Sequence, residues 1–303
     1  MIEPVLKDQA FLNDVAAANL MNDGFRLWWL GQSGFLIQFR GRHLLLDPYL
    51  SDSLTEKYAH TDLPHTRMTA RVVDPARLDF IDVVTSSHAH TDHLDPATLR
   101  PLLRANPELA VVVPESVLDT AAQRLGLSHD QLLPMDEGRT LTVAGFRLTA
   151  VASAHEQVER DAFGRCLYLG YVVEFGTWTV YHCGDTILYD GLAEKLARFR
   201  MDVALLPING RAPHRRVAGN LNGREAAWLA RAIGARTVIP CHYEMFTFNT
   251  ASPDEFVAAC HELGQRAHVL RCGQRAVLEA HLPSLLKGHP SVRRRRFQRL
   301  PQT

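Results

Sequence analysis

No apolar run in the 303-residue sequence approaches the ~20 residues that a membrane-spanning helix requires. The opening stretch, MIEPVLKDQAFLNDVAAANL, lacks the basic segment and apolar core of a secretory leader, so an untargeted, soluble, cytoplasmic protein is the expectation. Cysteine is scarce: Cys166, Cys183, Cys241, Cys260 and Cys272 are odd in number, widely spaced and form no CxxC pair. That pattern argues against a disulfide framework and against a thiolate zinc site, and suits a reducing compartment. Net charge is also absent, with 33 basic and 33 acidic residues, so the chain as a whole predicts no nucleic-acid or membrane partner. A GxSxG nucleophile elbow is missing, which counts against a serine hydrolase.

What is present is an ordered series of strand and helix signals. Residues 5–20 read as an amphipathic helix, and FRLWWL, GFLIQF and HLLL, separated by Gly31, Gly34 and Gly41, read as a strand meander ending at Asp47-Pro48. Residues 51–77 are polar, contain Pro64 and Pro75, and read as a long loop or insertion of the kind that covers a substrate pocket. The strand FIDVVTSS runs straight into HAHTDHLD, after which Asp95-Pro96 opens a helix. Further strand signals lie in ELAVVVP, RTLTVAGFRLTAVAS, CLYLGYVVEF, TWTVYHC, DVALLPI and RTVIPC, with a helix from Glu115 to Leu125. Asn222 with Glu225 has capping-box spacing, and Ser252-Pro253-Asp254-Glu255 repeats that logic for a helix ending near Leu263. This order predicts an α/β protein with mixed sheets covered by helices, one domain over residues 1–286. Residues 287–303 form a basic tail, expected to be disordered, whose Arg293 to Arg296 are either a solvated charge run or a contact for RNA or anionic lipid.

The densest chemistry is His88, His90, Asp92 and His93, four potential ligands in six residues. Imidazole and carboxylate suit zinc, manganese or iron. With the chain leaving the strand in extended form, His88 and His90 point the same way and can grip one ion, while Asp92 and His93 turn toward a second. His155, Asp185 and His242 each follow an apolar run, where a strand's C-terminal end would deliver them to a shared cleft.

The segments HAHTDHLD, ASAHE, HCGDT and IPCHYEMF resemble, in order and spacing, the motifs of the metallo-β-lactamase superfamily, and LLLDP resembles its first motif; the likeness covers residues 25 to about 275. Within it, HCGDTILYDGLAEKL, DVALLPINGR, GNLNGREAAWLA and VIPCHYEMFTFNT are most similar to the branch containing L-ascorbate 6-phosphate lactonase. A second resemblance is to the N-acyl-phosphatidylethanolamine phospholipase D type. The resemblance implies a four-layer αββα sandwich and two divalent ions, zinc or manganese, with iron as a further option. It implies that His88, His90 and His155 bind one metal, Asp92, His93 and His242 the other, and that Asp185 bridges, with Asp92 and Asp185 the catalytic carboxylates. Some lactonase-like relatives lack a clear histidine at the third motif, whereas ASAHE supplies His155.

Asp47 is either a turn residue before Pro48 or a carboxylate that orients a ligand imidazole, and Asp95 is either a helix cap or a similar support. Candidate substrate contacts are Asn209, Arg211, His214, Arg215 and Arg216, whose guanidinium groups suit a phosphate or sugar carboxylate, together with His182, Tyr189, Asn222, Tyr243 and Glu244. The leading expectation is a metal-dependent hydrolase that opens a small phosphorylated or acidic sugar lactone with a hydroxide generated between two metals. Phosphodiester hydrolysis is the alternative, and a metal-stabilised nucleic-acid-binding protein without turnover is the third reading. The partner expected is a small anionic substrate, with nucleic acid met only through the basic tail.

Overall fold

The computed structural model describes residues 1–20, 24–212, 215–217 and 219–278. Helix α1 (Asp8–Ala18) lies against the opening meander of β1 (Phe25–Gly31), β2 (Gly34–Phe39) and β3 (Arg42–Leu46), with the Phe11 ring edge-on to Trp28. Arg40 and Gly41 join β2 to β3 with positive φ at both positions, the two-residue turn whose twist matches that of paired strands. After α2 (Ser53–Tyr58), the chain forms β4 (Val83–Thr85), α3 (Pro96–Ala105), β5 (Ala110–Pro114), α4 (Leu118–Leu125) and β6 (Leu132–Met135). The strands β3 to β6 pair in parallel, and α3 and α4 supply the crossovers.

A second sheet follows: β7 (Thr140–Val143), β8 (Phe146–Ala152), β9 (Leu169–Phe175), β10 (Trp178–His182), α5 (Leu192–Leu196), β11 (Val203–Pro207), α6 (Gly223–Ala232), β12 (Thr237–Cys241) and α7 (Asp254–Leu263). Strand β13 (Arg275–Leu278) then returns to the first sheet beside β1. The orders are β13-β1-β2-β3-β4-β5-β6 and β12-β11-β10-β9-β8-β7, each part antiparallel and part parallel. These are the expected two mixed sheets flanked by helices.

Strands β1, β4, β10, β11 and β12 are buried at every position, because one face meets the other sheet and the other face meets helices; hence the continuous apolar runs where a solvated sheet would alternate. Phe25 of β1 packs edge-on to Phe175 of β9 and Trp178 of β10, with centroids 5.1 and 4.9 Å apart, joining the two sheets. Burying each such side chain contributes roughly 1.5–3 kcal/mol. All five cysteines are buried free thiols. Among the described residues no helix is long and apolar enough to cross a membrane.

Two local expectations need correction. Residues 51–77 do not form a structureless loop: they contain α2, and they are pinned by Met68 N–H donating to the Met245 carbonyl at 2.7 Å and Ala70 N–H to that of Ile2 at 2.9 Å. Buried Arg67 ties the segment further, its Nε donating to the Thr69 carbonyl. The start of α7 has no capping box, since Pro253 occupies the cap position and Ser252 bonds only to Asp254, accepting from its N–H and donating to its carboxylate. The expected domain limit at 286 and the tail with Arg293 to Arg296 lie outside the described residues.

Candidate metal centre

Four loops at the C-terminal ends of β4, β8, β10 and β12 carry the seven predicted ligands to one place. The loop after β4 is wound tightly, with His93 and Leu94 N–H both donating to the His90 carbonyl and Ser86 Oγ donating to that of His93. This turn puts His88, His90, Asp92 and His93 on one concave surface. The loop after β10 approaches closely: Gly184 has φ +59°, and a Cβ there would lie 2.6 Å from the side chain of Ser87. The loop after β12 begins with His242 at φ +62°, its N–H donating to the carbonyl of Gln32, itself at φ +50°. Left-handed backbone at residues other than glycine is uncommon and is kept where the surroundings enforce it, often at functional sites.

His88, His90, His155 and Asp185 form one group whose ligand atoms all lie within 4.8 Å of one another, and Asp92, His93 and His242 form another. Asp185 reaches both. Its Oδ1 lies 3.4 Å from His93 Nε2, and its Oδ2 lies 3.4 Å from His242 Nε2 and 3.7 Å from His155 Nε2. Asp92 Oδ2 is 3.6 Å from both His93 Nε2 and His242 Nε2. Two ligands of one tetrahedral ion, each about 2.1 Å from it, lie roughly 3.4 Å apart, so these separations are those of atoms sharing cations. The buried atoms His88 Nε2, His93 Nε2 and Asp185 Oδ1 have no hydrogen-bond partner, the condition of donors reserved for a metal. The residues present therefore fit a pair of divalent ions.

Asp47, fully buried, organises two of the imidazoles. Its Oδ2 accepts from His93 Nδ1 at 2.7 Å and from Ser87 Oγ, and its Oδ1 accepts from Thr85 Oγ1. Because Ser87 spends its proton on the carboxylate, Ser87 Oγ accepts from His88 Nδ1 at 2.9 Å. Both histidines are thus left with a bare Nε2 facing the cluster, the form in which imidazole binds a metal.

The electrostatics agree. Burial, reinforced by neighbouring imidazoles, pushes His88 well below the ordinary histidine value, and burial also lowers His90. Burial alone would lower His93 and His242 too, but Asp185 and Asp92 override it, holding His93 well above the ordinary value and His242 up to about 9. The two carboxylates are held well below theirs despite burial, Asp92 chiefly by His93 and Asp185 chiefly by His242. This concentration of negative charge is what divalent cations would neutralise in place of protons.

Two neighbours of the cluster, Gln32 and Tyr168, carry no motif signal in the sequence. Gln32 donates from Nε2 to Asp92 Oδ2 at 2.7 Å and lies 2.9 Å from His242 Nε2, so a single amide touches two predicted ligands of one half-site. No motif marks a glutamine in a hairpin tip; its only local signal is its place between Gly31 and Gly34. Tyr168 was also missed, its ring 5.0 Å from that of His88 and 5.3 Å from that of His155.

The cluster forms the floor of a cavity of about 450 Å³. Its wall comes from the segment expected to cover the pocket, through Leu54, Lys57, Tyr58, Leu63 and His65, and from Phe246 and Phe248 beyond β12. Of the predicted substrate contacts, Arg216 lines this cavity, and it is paired with Asp62. The others are engaged elsewhere. Arg211 makes a two-point contact with Glu225, and Arg215 donates to the carbonyls of Asn209 and Thr250. Asn209 donates to Asn249, which does line the cavity, while Asn222 completes the capping box of α6 with Glu225. His182 is a core histidine whose Nε2 meets the Ser33 carbonyl, and Tyr189 and Tyr243 donate to the carbonyls of Ala152 and Leu270. The Glu244 carbonyl accepts from Thr69, tying the loop to residues 51–77. His214 lies outside the described residues. Asp95 accepts from Ala97 N–H and from Ser51, Ser53 and Thr98 hydroxyls, so it caps α3 and anchors the wall segment rather than supporting an imidazole.

Two mixed sheets with helices outside and a His/Asp cluster at their strand ends define the metallo-β-lactamase fold. The sequence matches the beta-lactamase superfamily domain over residues 42–243, and the chain belongs to that superfamily of metal-dependent hydrolases. It is 30% identical over 262 residues to a UPF0173 metal-dependent hydrolase of Rubrobacter xylanophilus, covering 84% of this chain and 97% of the relative. Among solved structures it is similar to a metallo hydrolase from the archaeon Ignicoccus hospitalis, with TM-score 0.63 and 20% identity over 85% of this chain and 99% of that one. It is also similar to an isothiocyanate hydrolase from Delia radicum gut bacteria, with TM-score 0.67 and 19% identity over 84% of this chain and all of that one, 100%.

Proposed function

We propose that the chain hydrolyses a small acidic lactone at a two-metal centre, with His88, His90 and His155 holding one ion, Asp92, His93 and His242 the other, and Asp185 reaching both. Zinc, manganese or iron, when bound there, would supply Lewis acidity and lower the pKa of a coordinated water. The observation that carries the reading is the cavity of about 450 Å³ seated directly on the ligand cluster, a size suited to a small molecule.

The two carboxylates would divide the work. Asp185, with only 5% of its side chain exposed, holds the imidazoles of His93 and His242, while Asp92, at 16%, reaches the cavity and is placed to accept a hydrogen bond from a water there. Both stay ionised and thus able to accept. Lys57 supports an acid group on the substrate: its ammonium lies over the Tyr58 ring at the cavity wall and has no carboxylate partner among the described residues. The phosphodiester alternative has less support, because Arg211 and Arg215, the expected phosphate contacts, are bound to protein groups.

The test is elemental analysis of the purified protein combined with hydrolysis of sugar-acid lactones, sugar-phosphate lactones and simple phosphodiesters before and after chelation. About two metal equivalents with chelator-sensitive cleavage of acidic lactones is the expected result. Cleavage confined to phosphodiesters would replace the substrate reading, and no metal uptake after reconstitution would remove the site assignment.

A further inference from the structure

Among the described residues, His65 is the histidine lining the cavity that belongs to neither metal-ligand group. Its Nδ1 lies 3.0 Å from the Leu63 carbonyl oxygen. A carbonyl only accepts, so Nδ1 carries the proton and Nε2 presents a lone pair. Tyr58 stacks on the ring with centroids 4.0 Å apart and planes 14° from parallel, Phe248 lies against it at 4.4 Å, and Phe246 meets it edge-on at 5.4 Å. The ring is therefore held by aromatic neighbours from α2 and from the loop after β12, and its tautomer is held by its own segment. Among the described residues Nε2 has no hydrogen-bond partner.

We infer that His65 is a specificity-determining residue, accepting at Nε2 a hydrogen bond from a hydroxyl or N–H group of the substrate near the bond to be cleaved. The substrate series used to test this rests on the lactone reading above; the geometry of His65 does not. The charged and titratable neighbours are Asp92, which favours protonation of the imidazole, and Lys57, which opposes it. Burial is the larger influence and lowers the ring below the ordinary histidine value, which keeps the acceptor neutral near neutral pH. A ligand without a donor would exclude water from Nε2 and offer nothing in return, and sites that bury an acceptor discriminate against such analogues.

The experiment compares γ-butyrolactone with its 2-hydroxy and 3-hydroxy derivatives. The expected result is a preference of about ten-fold or more in kcat/KM for one hydroxylated ring. His65→Phe, which keeps an aromatic ring between Tyr58 and Phe248, should bring that ratio close to one, and His65→Gln should restore part of it. Both variants should keep the wild-type metal content. A preference that is absent in the wild type, or undiminished in His65→Phe at unchanged metal content, overturns the inference. If none of these neutral rings is turned over, the lactone reading is decided by the acidic lactones named above, and His65 is judged by calorimetric binding of butanoate against 2- and 3-hydroxybutanoate. A hydroxyl preference lost in His65→Phe sustains it there, and equal binding by the wild type overturns it. Nitrogen-15 NMR gives an independent check, since a proton found on Nε2 of the free protein would also overturn it.

Discussion

Asp47 and Gln32 act on the same half-site from opposite directions, one through the far nitrogen of His93 and the other through Asp92 and His242. Partners of this kind typically change metal affinity 10- to 100-fold when removed. Asp47→Ala and Gln32→Ala are each expected to weaken the second metal equivalent by about that factor. Gln32→Ala should leave the first equivalent tight, because Gln32 touches none of His88, His90 and His155; Asp47→Ala should weaken both, through the link from Ser87 to His88. Metal titration against a chromophoric chelator reads the difference, and unaltered second-site affinity in Gln32→Ala would remove its assigned role. That His88, His90, Asp92, His93, His155, Asp185 and His242 converge was legible because metal-binding chemistry is written in residue type and spacing. Gln32 was not, because its importance lies in distance to residues 60 and 210 positions away.

At the scale of elements, α6 shows how a motif can be read correctly and given the wrong job. Asn222 and Glu225 form the expected capping box, and that same bonding occupies Asn222, which was also a candidate substrate contact. Asn222→Ala should cost about 1 kcal/mol of stability, measured by urea unfolding, with KM unchanged; a raised KM at saturating metal would return Asn222 to the site. Gly184 is the opposite case, a position with no chemistry on which two ligand loops depend. Gly184→Ala puts a methyl group against Ser87 and a side chain at φ +59°, so it should separate the loop of Asp185 from that of His88 and sharply reduce metal content. Segment 51–77 was expected to cover the pocket and does line it, but its anchoring to Met245, Ile2 and Glu244 follows from contacts that sequence spacing does not encode.

For the whole molecule, the metal cluster and one buried histidine set how stability responds to conditions. Chelation should lower the thermal midpoint, since ions bound only by the folded chain stabilise it and their removal leaves the buried carboxylates facing one another; an unchanged midpoint would mean that the ions do not couple to folding. His43 on β3 is held down to about 4, by burial that outweighs Asp82 and the Phe80 carbonyl. The unfolded chain takes up this proton near the ordinary value of 6.5, so stability is complete above that pH and declines as pH falls from about 6.5 to about 4. The loss is on the order of 3 kcal/mol, each tenfold in proton affinity being worth about 1.4 kcal/mol. His43→Leu should make that part of the stability profile shallower, measured by denaturant titration on the metal-free protein; His88, His90 and His182, also lowered by burial, account for the slope that remains.

The sequence by itself determined the strand and helix order, the αββα class and which His and Asp residues are candidates to hold metal, because hydrophobic periodicity and residue spacing are local properties of the chain. Only the tertiary structure decided which polar groups face the cavity. Arg211 and Arg215 read as anion contacts until their partners, Glu225 and the carbonyls of Asn209 and Thr250, were in place, while His65 and Phe248 gained a role by being brought together from segments far apart. A side chain's chemistry is fixed by its type, but whether that chemistry is available to a ligand depends on what else has already bonded to it.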